Sequence, residues 1–145
     1  MSVENSARDI ALRWIDLYND GTPDSYGSER FLELYDEDLK WREMPTRAFP
    51  AGRTGSVGAL REALAAGQAA LRNRHVSLRE LVAETDRFAL TFSWQATVAS
   101  DAFAFLGLSP GDTMKLEVAQ ISEIFNGKIQ RSTEYVVVVP KEGLA

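Results

Sequence analysis

Cysteine is absent from this 145-residue chain, and histidine occurs once, at His75. Without a thiol, neither a disulfide framework nor a thiolate metal centre can form, and a single imidazole excludes a multi-histidine metal site. A Ser–His nucleophile pair is conceivable only through His75. That residue follows the basic run Arg72-Asn73-Arg74 at a strand start, so surface exposure without a role is expected of it. Long apolar runs are also missing. Nothing approaches the ~18 residues a membrane span needs, and MSVENSARDIALRWIDLYND mixes acids into its apolar pattern, unlike a signal peptide. Basic excess is lacking as well: the net charge is -5 and the pI about 4.9. With no basic stripe carrying interleaved aromatics, nucleic acid is not an expected partner. These absences lead to the expectation of a cytoplasmic protein with no membrane partner, no metal and no other cofactor.

What is present is ordinary for a soluble globular chain: 45% hydrophobic and 26% charged residues. The length suits one domain over residues 1–145, since domains cluster at ~100–150 residues. Ala7, Ile10, Ala11, Trp14, Leu17 and Tyr18 recur at i, i+3, i+4 and i+7, which predicts an amphipathic helix ending at Gly21 and Pro23. A short second helix is expected over Ser28–Tyr35, then a strand over Leu39–Met44. The segment Pro45–Gly55, with two prolines and two glycines, reads as loop. A third helix starts at Ser56, with Val57, Leu60, Leu64 and Leu71 on one side. The second half reads as four strands, over 75–84, 87–100, 114–125 and 128–140, rich in Val, Ile, Phe, Thr and Tyr. Thr85-Asp86 and Asn126-Gly127 mark hairpin turns, and the partly apolar link Asp101–Asp112 is a long loop. Helices followed by a meander of strands predict an α+β fold, with helices on one face of the sheet.

Within LKWRE, strand alternation puts Leu39, Trp41 and Glu43 on one face and Lys40 and Arg42 on the other. A carboxylate is thus sent to the greasy side. Beside Trp41 in an apolar cavity it would lose hydration, which raises a carboxyl pKa toward the range useful for proton transfer. The alternative is a frayed strand end that points Glu43 to solvent before Pro45. Glu134 shares strand parity with Gln130, Ser132, Val136 and Val138, a face that turns from polar to apolar. Were Glu43 and Glu134 both inward, their like charges would raise one pKa and make an acid/base pair. The competing reading leaves Glu134 solvated or paired with Arg131. Phe88, Leu90, Phe92 and Trp94 form a period-2 apolar face, mostly core, whose open end could line a pocket.

The segments ALRWIDLYNDG, LYDEDLKW, GRTGSVGALRE, ELVAETDRFALTFSWQAT and GLSPGDTMKLEVAQISEIFNGKI, in that order, resemble the SnoaL-like branch of the nuclear transport factor 2-like superfamily. This group includes polyketide cyclases, ketosteroid isomerase and limonene-epoxide hydrolase. The resemblance covers almost the whole chain and implies a curved antiparallel or mixed sheet wrapped into a cone. Three N-terminal helices close that cone around an apolar pocket. It also implies a small hydrophobic ligand and a homodimer. Laid on YDEDLKWRE, the isomerase pattern puts Glu43 at the general-base position, with Tyr35 as landmark. The isomerase's helix-1 tyrosine matches Trp14, and its strand acid falls near Gln120. The cyclases' histidine falls at Val98. The epoxide hydrolases' carboxylate after the GK turn matches Glu134, while their neighbouring Arg/Asp pair has no counterpart on the matching strand.

Two readings result. In the first, a cofactor-independent isomerase or cyclase-type enzyme uses Glu43 as base, Glu134 as auxiliary acid and Trp14, Tyr18 and Gln120 as donors. Trp14, Tyr18, Trp41, Phe49, Phe92 and Trp94 then contact the ligand. In the second, the chain is a non-catalytic ligand-binding module, or a dimeric one associating through its outer sheet face. A cavity of several hundred Å3 containing Glu43 favours the first reading. A cavity filled by Trp14, Trp41 and Phe49 removes it.

Overall fold

The computed structural model describes residues 6–20 and 29–142. Helix α1 spans Ala7–Asp20. Ser6 opens it, its hydroxyl oxygen accepting the Asp9 N–H at 3.2 Å, as an N-cap serine does. Ala7, Ile10, Ala11, Trp14 and Tyr18 are buried, so the 3.6-residue period turns one stripe toward the sheet. The helix stop at Gly21 and Pro23 and the second helix's start at Ser28 lie outside the described residues.

Helix α2 is shorter than expected, Glu29–Leu32, because the chain is already extended at Tyr35, where strand β1 (Tyr35–Glu43) begins. Pairing explains the early switch: Ile129 N–H donates to Leu34 O at 2.8 Å, and Tyr35 is in register with Ile129. Asp36 Oδ1 accepts the Asp38 N–H at 2.8 Å inside the irregular stretch before Lys40. The acidic run Asp36-Glu37-Asp38 therefore sits in an irregular stretch of β1.

Three residues of the expected loop form a strand, β2 (Arg53–Gly55), antiparallel to β1 with Glu43 opposite Arg53. Gly52 turns the chain back at φ 75°, a conformation a Cβ disfavours. A Cβ there would also lie 2.6 Å from the Glu43 carbonyl oxygen. Helix α3 (Val57–Ala70) buries Leu60 and Leu64, while Leu71 leaves the helix to begin strand β3 (Leu71–Ala83). Strand β3 starts four residues earlier than expected, with Asn73 at φ 53° in an irregularity between Arg72 and His75.

Strands β4 (Arg87–Val98), β5 (Thr113–Phe125) and β6 (Lys128–Val138) complete a six-stranded sheet of order β2-β1-β6-β5-β4-β3. All pairs are antiparallel except β1–β6. Register irregularities in the β1–β6, β3–β4 and β5–β6 pairs bend and twist the strands. The sheet is accordingly curved but unclosed, with β2 and β3 as edges. Asn19 covers part of the β3 edge, donating to Val76 O at 2.8 Å and accepting from Val76 N–H at 2.7 Å. Phe88, Leu90, Phe92, Trp94, Ala96 and Val98 are buried at every second position of β4. The concave face therefore carries the core against α1 and α3. No helix among the described residues is long and apolar enough to cross a membrane.

Candidate functional site

A cavity of about 450 Å3 opens between the concave sheet face and the helices. Its apolar walls come from Trp14 and Tyr18 of α1, Leu60 and Leu64 of α3, Trp41 of β1, and Phe92 and Trp94 of β4. Phe49 stands at the mouth with Phe103 and Phe105. The last two belong to a 3-10 turn, Asp101–Leu106, within the expected loop. Trp14, Tyr18, Trp41, Phe49, Phe92 and Trp94 thus all border one space without filling it.

Two indoles are held by their own polar atoms. Trp14 Nε1 donates to Tyr35 Oη at 2.9 Å, and Trp94 Nε1 donates to Tyr18 Oη at 2.6 Å. Trp14 stacks on Tyr18 with ring centroids 5.1 Å apart and tilts against Phe92 at 5.3 Å. With its N–H engaged, Trp14 meets the cavity as a flat apolar surface.

The polar end is assembled by strand register. Leu39, Trp41 and Glu43 are buried on β1 while Lys40 and Arg42 are exposed, and Glu43 lies opposite both Arg53 of β2 and Glu134 of β6. Arg53 binds the Glu43 carboxylate through two hydrogen bonds, Nε to Oε1 at 3.2 Å and Nη2 to Oε2 at 2.9 Å. This fork geometry is the strong form of an Arg–carboxylate pair. The guanidinium also lies over the Phe49 ring at 3.9 Å and the Trp41 ring at 5.3 Å, favourable cation–π placements. Glu43 is 9% exposed, and its burial is compensated by this partner.

Glu134 has no such partner. It faces the cavity, while Arg131 on the outer face pairs with Glu123 at 3.4 Å. Loss of hydration in the apolar cavity, then the Glu43 charge, push the Glu134 carboxyl up to about 7. The Arg53 charge and the nearby Trp41 indole N–H pull the other way, less strongly. The Trp41 indole N–H reaches toward Glu134 closely enough to favour its anion, short of a well-formed hydrogen bond. A carboxyl that titrates near neutrality can both take and give a proton at physiological pH.

Gln120 is in register opposite Glu134 on β5 but does not border the cavity. It is fully buried, its Nε2 donating to Ser122 Oγ at 3.3 Å and Ser132 Oγ at 3.2 Å. The amide belongs to a buried polar cluster beside the cavity. His75 is exposed and Val98 is buried in β4.

Arg53 is not legible as a site residue in the sequence, because Pro45–Gly55 has the composition of a loop. The available signal was the opposite charges of Glu43 and Arg53 flanking a Pro/Gly-rich turn, which is how a charged cross-strand pair reads in sequence. Phe103 and Phe105 were visible only as an apolar excess in a long loop.

Similarity to known proteins is confined to family and fold. A family model described as a SnoaL-like domain matches residues 11–132. AclR of Streptomyces galilaeus, a proposed hydroxylase, superposes with a TM-score of 0.72 at 16% identity, over 92% of this chain and 80% of its own. IdmH of Streptomyces antibioticus, a proposed polyketide cyclase, gives 0.68 at 17% identity, over 91% of each chain. An NTF2-like protein from Anabaena variabilis gives 0.69 at 14% identity, over 97% and 96%. No curated protein matches the sequence.

Proposed function

Because the chain belongs to the SnoaL-like domain family of the nuclear transport factor 2-like superfamily, we propose that it binds a small apolar molecule and transfers a proton on it without a cofactor, as an isomerase or cyclase does. The observation that carries this reading is Glu134, an unpaired carboxyl in an apolar cavity of about 450 Å3, with the Arg53-bound Glu43 opposite it. The roles suggested by sequence are then exchanged. Glu134 moves the proton, held near neutrality first by loss of hydration in the apolar cavity and then by the fixed charge of Glu43. Gln120, opposite Glu134 on the neighbouring strand, donates to Ser122 and Ser132 and lies outside the cavity wall. The neighbours named as a cyclase and a hydroxylase lend the reading their chemistry, at identities too low to transfer it.

The test is solvent-deuterium incorporation alpha to the carbonyl of 1-tetralone, followed by NMR. The expected result is acceleration by the wild type, loss of at least about a hundredfold in Glu134→Gln, and retention of binding by that variant. Exchange at the uncatalysed rate with intact binding removes the catalytic reading and leaves a ligand carrier. That second reading is favoured by the bidentate Glu43–Arg53 pair, which resembles a structural clamp as much as a catalytic one.

A homodimer would use the outer sheet face, a reading supported by the exposure of Ile121, Tyr135, Val137 and Val82 there. Light scattering of wild type and Ile121→Glu tests it: a dimer reduced to monomer supports the assignment, and a monomeric wild type removes it.

A further inference from the structure

Behind the cavity wall, Gln120, Ser122 and Ser132 are fully buried and bonded to one another. Gln120 Nε2 donates to both serine hydroxyls, at 3.3 and 3.2 Å, and the hydroxyls lie 3.1 Å apart. These bonds use only the nitrogen end of the amide. The oxygen end, Gln120 Oε1, is buried and accepts from nothing. A buried acceptor without a donor is costly, and such groups in folded proteins call for an explanation.

Strand register identifies the missing donor. On β4 the residue opposite Gln120 is Leu90, which has no proton to give. On β6 the residue opposite is Glu134. Directly opposed side chains start about 4.5–5.5 Å apart at their Cβ atoms, a gap that an amide and a carboxyl can close. An ionised carboxylate only accepts, whereas a protonated one carries an O–H donor. The other ionisable groups bordering the cavity among the described residues are engaged elsewhere. Glu43 of β1 and Arg53 of β2 bind each other. Tyr35 of β1 and Tyr18 of α1 accept from Trp14 and Trp94. The walls contributed by α3 and β5 are not ionisable.

We infer that Gln120 is a positioning residue for the proton of Glu134: the neutral carboxyl gives its O–H to Gln120 Oε1, and the ionised one turns to the Trp41 N–H. This deepens the reading of Glu134 as the group that moves the proton. The serine hydroxyls hold the amide in place, so the acceptor is fixed before the proton arrives. Because the bond forms with the neutral carboxyl alone, it raises the pH at which Glu134 becomes a base.

The experiment follows the Glu134 carboxyl carbon by NMR against pH in the full chain, in wild type and Gln120→Met. Methionine keeps the length and removes the strong acceptor. The Glu134 midpoint should fall by about 1 in the variant. That sign is diagnostic, because replacing an amide by an apolar neighbour otherwise raises a carboxyl pKa. An amide with its two ends exchanged, N–H toward Glu134, also predicts a rise. The pH profile of 1-tetralone deuterium exchange should move to lower pH by the same amount, with KM within about twofold, since exchange needs the ionised form. A second measurement needs no substitution at Gln120: its side-chain carbonyl carbon should titrate with the Glu134 midpoint in wild type and lose that dependence in Glu134→Gln. An unchanged or raised midpoint in Gln120→Met, or a Gln120 resonance indifferent to Glu134, overturns the inference. Should Gln120→Met fail to fold, the wild-type resonance decides. A lowered midpoint without any exchange removes the catalytic reading and leaves the Gln120 bond standing.

Discussion

Glu134 stands in register with Glu43 across β1–β6, the parallel pair of the sheet, and only Glu43 has an arginine. Two inward carboxylates at adjacent strand positions repel each other, and the arrangement divides their duties. Arg53 binds Glu43 through both carboxylate oxygens. Glu134 carries the cost of burial and of its neighbour's charge, and its pKa is pushed up to about 7. The asymmetry comes from β2, which delivers a cation to one side of β1 and none to β6.

This asymmetry makes stability depend on pH. The carboxyl of Glu134 sits at about 7 in the folded protein against an ordinary 4.5, so the folded state holds the proton more tightly than the unfolded chain. Its contribution is complete below about pH 4.5, declines between there and about 7, and is lost above. Because Glu134 is half-buried by its accessible surface, a decline on the order of 2 kcal/mol is expected, below the full conversion of the shift. Urea unfolding of wild type and Glu134→Gln between pH 4.5 and 8 measures it. The variant should lack this decline and exceed the wild type in stability at pH 8.

Removing the clamp exposes the cost of Glu43. The Arg53→Met variant should lose about 2–3 kcal/mol, somewhat less than a fully buried pair because the guanidinium retains 29% exposure. The Arg53→Met/Glu43→Gln double variant should recover more than half of the loss, since position 43 no longer carries a buried charge without its partner. A double-mutant cycle from urea midpoints checks this. Strictly additive losses would mean that the pair contributes nothing.

Gly52 and Gly58 should respond to alanine in opposite directions. At Gly52 the added Cβ meets both the left-handed φ and the Glu43 carbonyl oxygen, so a loss of at least about 1–2 kcal/mol is expected. At Gly58, in the first turn of α3, the nearest atom is Ser56 Oγ at 3.6 Å. The helix should there gain about 0.5 kcal/mol. Thermal melting of the two single variants decides.

The β3 edge depends on one side chain. Asn19→Ala leaves the Val76 N–H and C=O without their partners, and a loss of about 1–3 kcal/mol is expected. Hydrogen exchange at the Val76 amide should accelerate more than at Leu90, in the middle of β4.

Much of the fold could be read directly from local pattern. The α1 stripe, the period-2 face of β4 and the Asn126-Gly127 turn, at φ 49° and 75°, are set by short-range periodicity and by residues that tolerate left-handed backbone. The early start of β1 was not legible, because Phe31, Leu32, Leu34 and Tyr35 are all buried and so short an apolar cluster, broken only by Glu33, suits helix or strand equally. The β2 strand was hidden for a similar reason. Three residues carry no period, and only pairing with β1 makes them a strand.

The same division holds for the site. The sequence by itself determined that Glu43 shares a face with Leu39 and Trp41, because side chains alternate along a strand whatever lies beside it. It also determined an aromatic supply large enough to wall a cavity. Tertiary structure alone decided that the parallel β1–β6 register sets Glu134 against Glu43, that Arg53 returns to bind one carboxylate, and that Trp41 turns its N–H toward Glu134 while Trp14 and Trp94 give theirs to tyrosine hydroxyls. Each of these depends on residues far apart in the chain meeting at distances of a few ångströms. Charge, desolvation and hydrogen bonding act over those distances, and sequence spacing does not encode them.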